Sequence, residues 1–132
     1  MSNRISAEFG HQHNFPNKPE KEGTGRSPWI TIRTSQLGAL PPVGHRVAPE
    51  HAEHMPTIYT ESSYPAITAE FRAHHYHFIG IEITTVSKIV YDLVRLGFNK
   101  KNGREQATSI EQLPDKIVFE RCYLHGTRTG NL

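Results

Sequence analysis

Two segments of the chain, YHFIGIEI at 76–83 and IVFERCYL at 117–124, repeat one pattern of apolar positions. Superimposed, Tyr76 falls on Ile117, Phe78 on Phe119, Ile81 on Cys122 and Ile83 on Leu124. Successive strand side chains point to opposite sides, so one unbroken strand would put Phe78 and Ile81 on different faces. A kink or bulge at Ile79-Gly80, and again at Glu120-Arg121, returns the apolar positions of each segment to one side. Each segment then reads as two short strands joined at a corner and turning about a single core, closer to a solenoid coil than to a flat hairpin. A small β-sandwich with a chance similarity is the other reading. The repeat predicts that Phe78, Ile81, Ile83, Phe119, Cys122 and Leu124 share one core.

The remaining residues are mostly strand-like. At 132 residues the chain has room for one domain. Residues 1–28 are polar and carry Pro16, Pro19, Gly23 and Gly25, which predicts a poorly ordered lead-in with order beginning at Trp29. WITIRT (29–34) is a short β-branched run. The next stretch, 37–56, carries Pro41, Pro42, Pro49 and Pro56, which suppress a long helix or a central strand and predict a surface connection. TIYT, AITAEF and YHFIGIEI follow as pieces of strand length. KIVYDLVRLG (88–97) fits either a helical face through Ile89, Leu93 and Leu96 or a buried strand. Residues 97–107 read as a loop, and Thr108 with Glu111 as a capping box for one helical turn ended by Pro114. KIVFERCYLHG (116–126) is the last apolar run.

WITIRTS (29–35), GHRVAPEHAEHMPTI (44–58), AHHYHFIGIEI (73–83), VYDLVRLG (90–97) and LPDKIVFERCYLHGT (113–127) resemble the opening coils of bacterial pectate-lyase-like proteins. The resemblance runs from about Asn14 onward and is most specific in IVFERCYLHGT. It implies an all-β fold, the first few coils of a right-handed parallel β-helix over 29–132, with VYDLVRL a strand in its long parallel sheet. It also implies a parent that continues through further coils, binds or cleaves an acidic polysaccharide and is secreted or periplasmic. The segment itself is not expected to be catalytic. The N-terminal capping segment and export signal of such proteins have no counterpart here: MSNRISAEFGHQHNF lacks the apolar core of a signal peptide. A structural or adhesive β-solenoid module, or a weak metal-binding module, is the non-enzymatic alternative.

Charge and composition narrow the partners. The 15 basic and 13 acidic residues are dispersed, with no basic block, which disfavours nucleic acid. No apolar run approaches the ~18 residues of a membrane span. Cys122 is the single cysteine and excludes an intrachain disulfide. Polysaccharide remains as a partner, together with end-to-end self-association through the coil of residues 117–124.

Histidines are the most conspicuous candidate ligands. His75 and His77, two apart on one strand face, could approach a tetrahedral metal with His74 nearby, or with His51 and His54. The register that buries Tyr76 and Phe78 turns His75 and His77 outward, so the expectation is surface histidines and no structural metal. His51-Ala-Glu-His54 lacks the i, i+4 spacing of a zinc-protease helix and reads as loop. No cofactor is expected in this segment, calcium being what a complete lyase-like parent would hold. Only Asp92 and Asp115 supply aspartates, and no three acids cluster. Glu82 and Glu120 are the one weak pair for glycoside hydrolysis. The substrate-binding candidates are Glu82, Glu120, Arg121, Tyr123 and His125, with Arg121 a bidentate partner for a sugar carboxylate and Tyr123 a stacking face. Cys122 points inward and is a poor nucleophile.

Overall fold

The computed structural model describes residues 13–15, 29–97 and 107–127. Nine short strands run in chain order: β1 (His13–Phe15), β2 (Ile30–Arg33), β3 (Thr57–Thr60), β4 (Ile67–Ala69), β5 (His74–Ile79), β6 (Glu82–Thr85), β7 (Val94–Leu96), β8 (Asp115–Glu120) and β9 (Tyr123–Leu124). They form three sheets of order β1-β4-β7, β2-β5-β8 and β3-β6-β9. Every pairing is parallel. Each strand thus lies beside the one three elements later, and the chain makes three passes across the three sheets.

The expected fold class is corrected by this arrangement. In place of the long continuous sheet of a closed right-handed β-helix, the described residues make three separate three-stranded sheets of strands two to six residues long. The divisions fall where the backbone turns left-handed. Gly80 (φ 65°) separates β5 from β6, and Arg121 (φ 49°) separates β8 from β9. These are the corners expected from the repeat, and what reads as one segment in sequence is shared between two sheets.

The repeat itself is found in the ladders. Tyr76 pairs with Ile117 and Phe78 with Phe119 between β5 and β8, and Ile83 pairs with Leu124 between β6 and β9. The Gly80 N–H donates to the Glu120 carbonyl at 3.0 Å, carrying the pairing through the corner. A second left-handed pair, His75 (φ 62°) and Lys116 (φ 50°), sits one residue before Tyr76 and Ile117. Phe78, Ile81 and Ile83 are fully buried, in a core that also takes Ile67, Ala73, Tyr76, Val90 and Leu93. Phe119 and Cys122 pack against this core half-buried. Leu124 does not join it: the residue is 46% exposed, because β9 is the outer strand of its sheet.

Local readings divide similarly. Pairing begins ahead of Trp29, since β1 lies at His13–Phe15; the rest of the 1–28 lead-in and most of the 97–107 loop lie outside the described residues. The 88–97 stretch is not a helix. Ile89 and Leu96 are exposed while Leu93 is buried, so the helical face would have no common core, and only Val94–Leu96 pairs, as β7. One 3-10 turn at Ile110–Gln112 precedes Pro114 as expected. Its cap differs, for the Gln112 side chain accepts from the Thr108 N–H at 2.7 Å.

The proline-bearing connection leaves β2 at Thr34, whose N–H donates to the Ile79 carbonyl, and returns at Pro56, whose carbonyl accepts from the Glu82 N–H. Between them lie 3-10 turns at Leu37–Ala39 and Pro49–His54. Leu40 and Met55 anchor the connection by burial.

Candidate functional site

Two histidine–glutamate contacts cross the ladders at diagonal positions. His77 on β5 approaches Glu120 at the end of β8, Nε2 to Oε2 3.0 Å. Glu82 on β6 approaches His125 beyond β9, Oε1 to Nε2 2.9 Å. In both, the partner from the later strand, Glu120 or His125, lies two residues beyond the strict neighbour, Val118 or Tyr123, and so points to the same face.

Glu82 is the more enclosed carboxylate, its side chain 8% exposed. Its second oxygen accepts from the hydroxyl of Thr57, its in-register neighbour on β3. His125 uses both of its ring nitrogens here. Nδ1 then meets the Thr84 hydroxyl at 3.3 Å and the Gly126 carbonyl at 2.9 Å. The imidazole stacks on Tyr123, ring centroids 4.5 Å apart and 28° between planes. The buried end of this chain of polar groups is Glu82, and its outer end is the His125–Tyr123 stack.

Glu120 and Arg121 are committed to each other. The guanidinium donates from Nε and Nη2 to Glu120 Oε1 at 3.1 and 2.8 Å, and from Nη1 to the Pro41 carbonyl at 3.2 Å. Arg121 is only 12% exposed at its side chain. Its planar fork therefore fastens the proline-bearing connection to the corner and is not presented to a sugar carboxylate. The Glu82–Glu120 pair does not form a facing couple either, since each carboxylate is taken up by its own histidine.

Four further histidines make local contacts. His51 Nδ1 accepts from the Ala48 N–H at 2.8 Å, and His54 Nδ1 lies 2.8 Å from Gln36 Oε1, both within the loop reading of this stretch. His74 and His75 contact each other edge-on, and Trp29 meets His75 and His77 edge-on at 5.1 and 6.1 Å. Among the described residues no group of three or more His, Cys, Asp or Glu is placed to hold a metal ion. Asp92 accepts from Nε and Nη2 of Arg95, both at 2.7 Å, and exposed Asp115 lies beside Lys116.

A groove opens beside this polar chain. It has a volume of about 560 Å³ and is lined by Arg46, Val47, Ala48, Pro49, Cys122, Tyr123 and Leu124. Burial pushes the Cys122 thiol up from its ordinary pKa, and Sγ donates to the Phe78 carbonyl at 3.4 Å. The thiol thus stays protonated at neutral pH and serves as wall, not nucleophile. Arg46 is exposed and forms no ion pair with another described residue. Of the expected binding residues, Tyr123 reaches the groove and His125 backs it. Arg46 was missed because it lies far from the repeat, and its one sequence signal is a basic residue in a proline-flanked connection.

The Glu82–His125 contact makes a stability difference that can be measured. His125→Ala leaves the enclosed Glu82 with Thr57 alone and is expected to cost about 1–2 kcal/mol, below the usual figure for breaking a buried pair because the imidazole is 33% exposed. Adding Glu82→Gln should recover most of that loss, since a neutral amide tolerates burial better. His77→Ala should cost less than His125→Ala, because Arg121 still holds Glu120. Urea unfolding of the three variants checks the order.

Among the described residues no helix is long and apolar enough to cross a membrane. No protein-family model, no curated protein and no solved structure matches the chain.

Proposed function

We propose that the chain is a non-catalytic binding module for an acidic polysaccharide, which it holds in the groove between residues 46–49 and 122–124. The observation that carries this reading is that Arg46, exposed and without an ion pair among the described residues, lines the same groove as Tyr123. The volume falls within the range of small-ligand sites, and a few polar groups set in an apolar wall are the usual composition of such sites. Arg46 supplies the bidentate donor geometry that a uronate carboxylate accepts. Val47, Pro49 and Leu124 offer apolar surface for the hydrophobic face of a sugar ring, and Tyr123 an aromatic edge braced by His125. The non-catalytic reading is supported by the carboxylates Glu82 and Glu120, which are both engaged and neither of which lines the groove.

Titration of labelled protein with an oligogalacturonate, followed by NMR, is expected to shift resonances of residues 46–49 and 122–124. Arg46→Ala should weaken binding about tenfold or more, the usual worth of a charge-assisted hydrogen bond. Raised salt should weaken it as well. Equal affinity for a neutral oligosaccharide of the same length, or an unchanged affinity in Arg46→Ala, overturns the reading.

A further inference from the structure

We propose that the outer edge of β8 takes the outer edge of β2 from a second copy of the chain, joining molecules head to tail. The sheet β2-β5-β8 ends in these two strands, and neither has a second strand partner among the described residues. Open edges present rows of unpaired donors and acceptors and are templates for strand addition. What selects β2 as the occupant is register. Ile30, Thr31, Ile32 and Arg33 pair with Tyr76, His77, Phe78 and Ile79, which pair in turn with Ile117, Val118, Phe119 and Glu120. If the same ladder continues across the junction, Ile30 of the incoming copy lies beside Ile117 and Ile32 beside Phe119, apolar against apolar on the core side. Thr31 covers Val118, which is 39% exposed in the single chain. Arg33, exposed on β2, lies beside Glu120 and adds a second guanidinium to the carboxylate that Arg121 already holds.

The core side of both strands is left incompletely covered in the single chain. Ile30 and Ile32 are half-buried, as are Ile117 and Phe119, whereas Tyr76 and Phe78 between them are buried. The middle strand shows what two-sided coverage does for these positions, and the junction would extend it to the outer ones. Such a contact is heterologous: one edge meets a different edge, so each addition leaves a fresh β8 at one end and a fresh β2 at the other.

Sedimentation velocity of the 132-residue chain from micromolar to millimolar concentration tests the proposal. The weight-average mass is expected to rise continuously and pass the dimer. Two double variants locate the junction. Thr31→Lys with Val118→Lys sets like charges opposite each other there, and Thr31→Glu with Val118→Lys sets opposite ones. The two share the β8 change and differ only at exposed position 31, so folding is matched between them. The opposite-charge variant should associate at least about fivefold more tightly than the like-charge one. A monomer at all concentrations overturns the proposal and leaves the edge to other residues of the same chain. A plateau at dimer overturns it in favour of a symmetric contact, and equal association of the two variants overturns the β2–β8 junction.

Discussion

Phe78→Ala is expected to lower the stability of the chain by about 3–5 kcal/mol, the cost of emptying a well-packed aromatic site. Phe78 is 1% exposed and stacks on Phe119 with ring centroids 4.9 Å apart and planes 7° from parallel. On its other side Ile32 is the in-register neighbour, so the ring is the middle rung of Ile32–Phe78–Phe119. Truncation removes contacts to both outer strands at once. The parallel ladders on either side of β5 hold the backbone and limit collapse into the void. Domains are stable by only about 5–15 kcal/mol, so the loss is a large fraction of the whole. Phe119→Ala should cost less, because Phe119 is half-buried and, among the described residues, has a strand neighbour on one side only. Urea melts of the two variants decide this, and a Phe119→Ala loss equal to or above that of Phe78→Ala would contradict the assignment of the central rung.

Gly80→Ala is expected to cost about 2–4 kcal/mol, from a left-handed backbone that disfavours any Cβ and from overpacking. The residue sits at φ 65°, and an added Cβ would lie 2.5 Å from Leu40 Cδ1 and 2.8 Å from Thr34 Cγ2. Leu40 can swing its terminal methyl aside. Thr34 cannot: it is β-branched, buried, and held by its hydroxyl donating to the His54 carbonyl. Gly38→Ala is the matched control, since nothing lies within 4 Å of a Cβ there, and it should change stability by less than about 0.5 kcal/mol. Denaturant midpoints of the two variants, measured together, should differ clearly. Equal midpoints would mean that the corner at Gly80 yields to a side chain and does not fix the step from β5 to β6.

Much of the ladder was legible because the second and third passes repeat one apolar pattern over equal lengths of chain. Tyr76, Phe78 and Ile83 found their partners Ile117, Phe119 and Leu124 from spacing alone. The corners were legible from the break in alternation, although only one of them, Gly80, carries the residue type that favours a positive φ. At Arg121 the same conformation is met by a side chain whose hydrogen bonds to Glu120 and the Pro41 carbonyl hold it in place. That compensation is tertiary and has no local signature. The division into three separate sheets was not legible, for it depends on where each ladder stops, and pattern does not report strand ends. The candidate site was half legible. Tyr123 and His125 lie in the repeat, but Arg121 looked available only because the Pro41 carbonyl that occupies it comes from a connection without periodicity. Arg46 enters the groove from the same connection.

The first pass turns its corner differently from the other two. Where β5 reaches β6 through Gly80-Ile81 and β8 reaches β9 through Arg121-Cys122, the chain after β2 departs at Thr34 and re-enters at Pro56 with both ladders still in register. Contour length between successive strands is therefore decoupled from strand alignment at this vertex. A flexible excursion costs little more closure entropy as it lengthens, each doubling adding about 0.6 kcal/mol. The vertex is thus a graft point, able to accept or shed a loop while β2 and β3 stay seated on β5 and β6. The loop it carries also supplies Arg46 and one wall of the groove, so under the proposed binding function a change of loop would change the ligand and leave the scaffold as it is. Exchanging residues 35–55 for another excursion of unrelated sequence would then move specificity as a cassette, provided that the newcomer restores the apolar cover that Leu40 gives over Gly80 and a buried anchor in place of Met55.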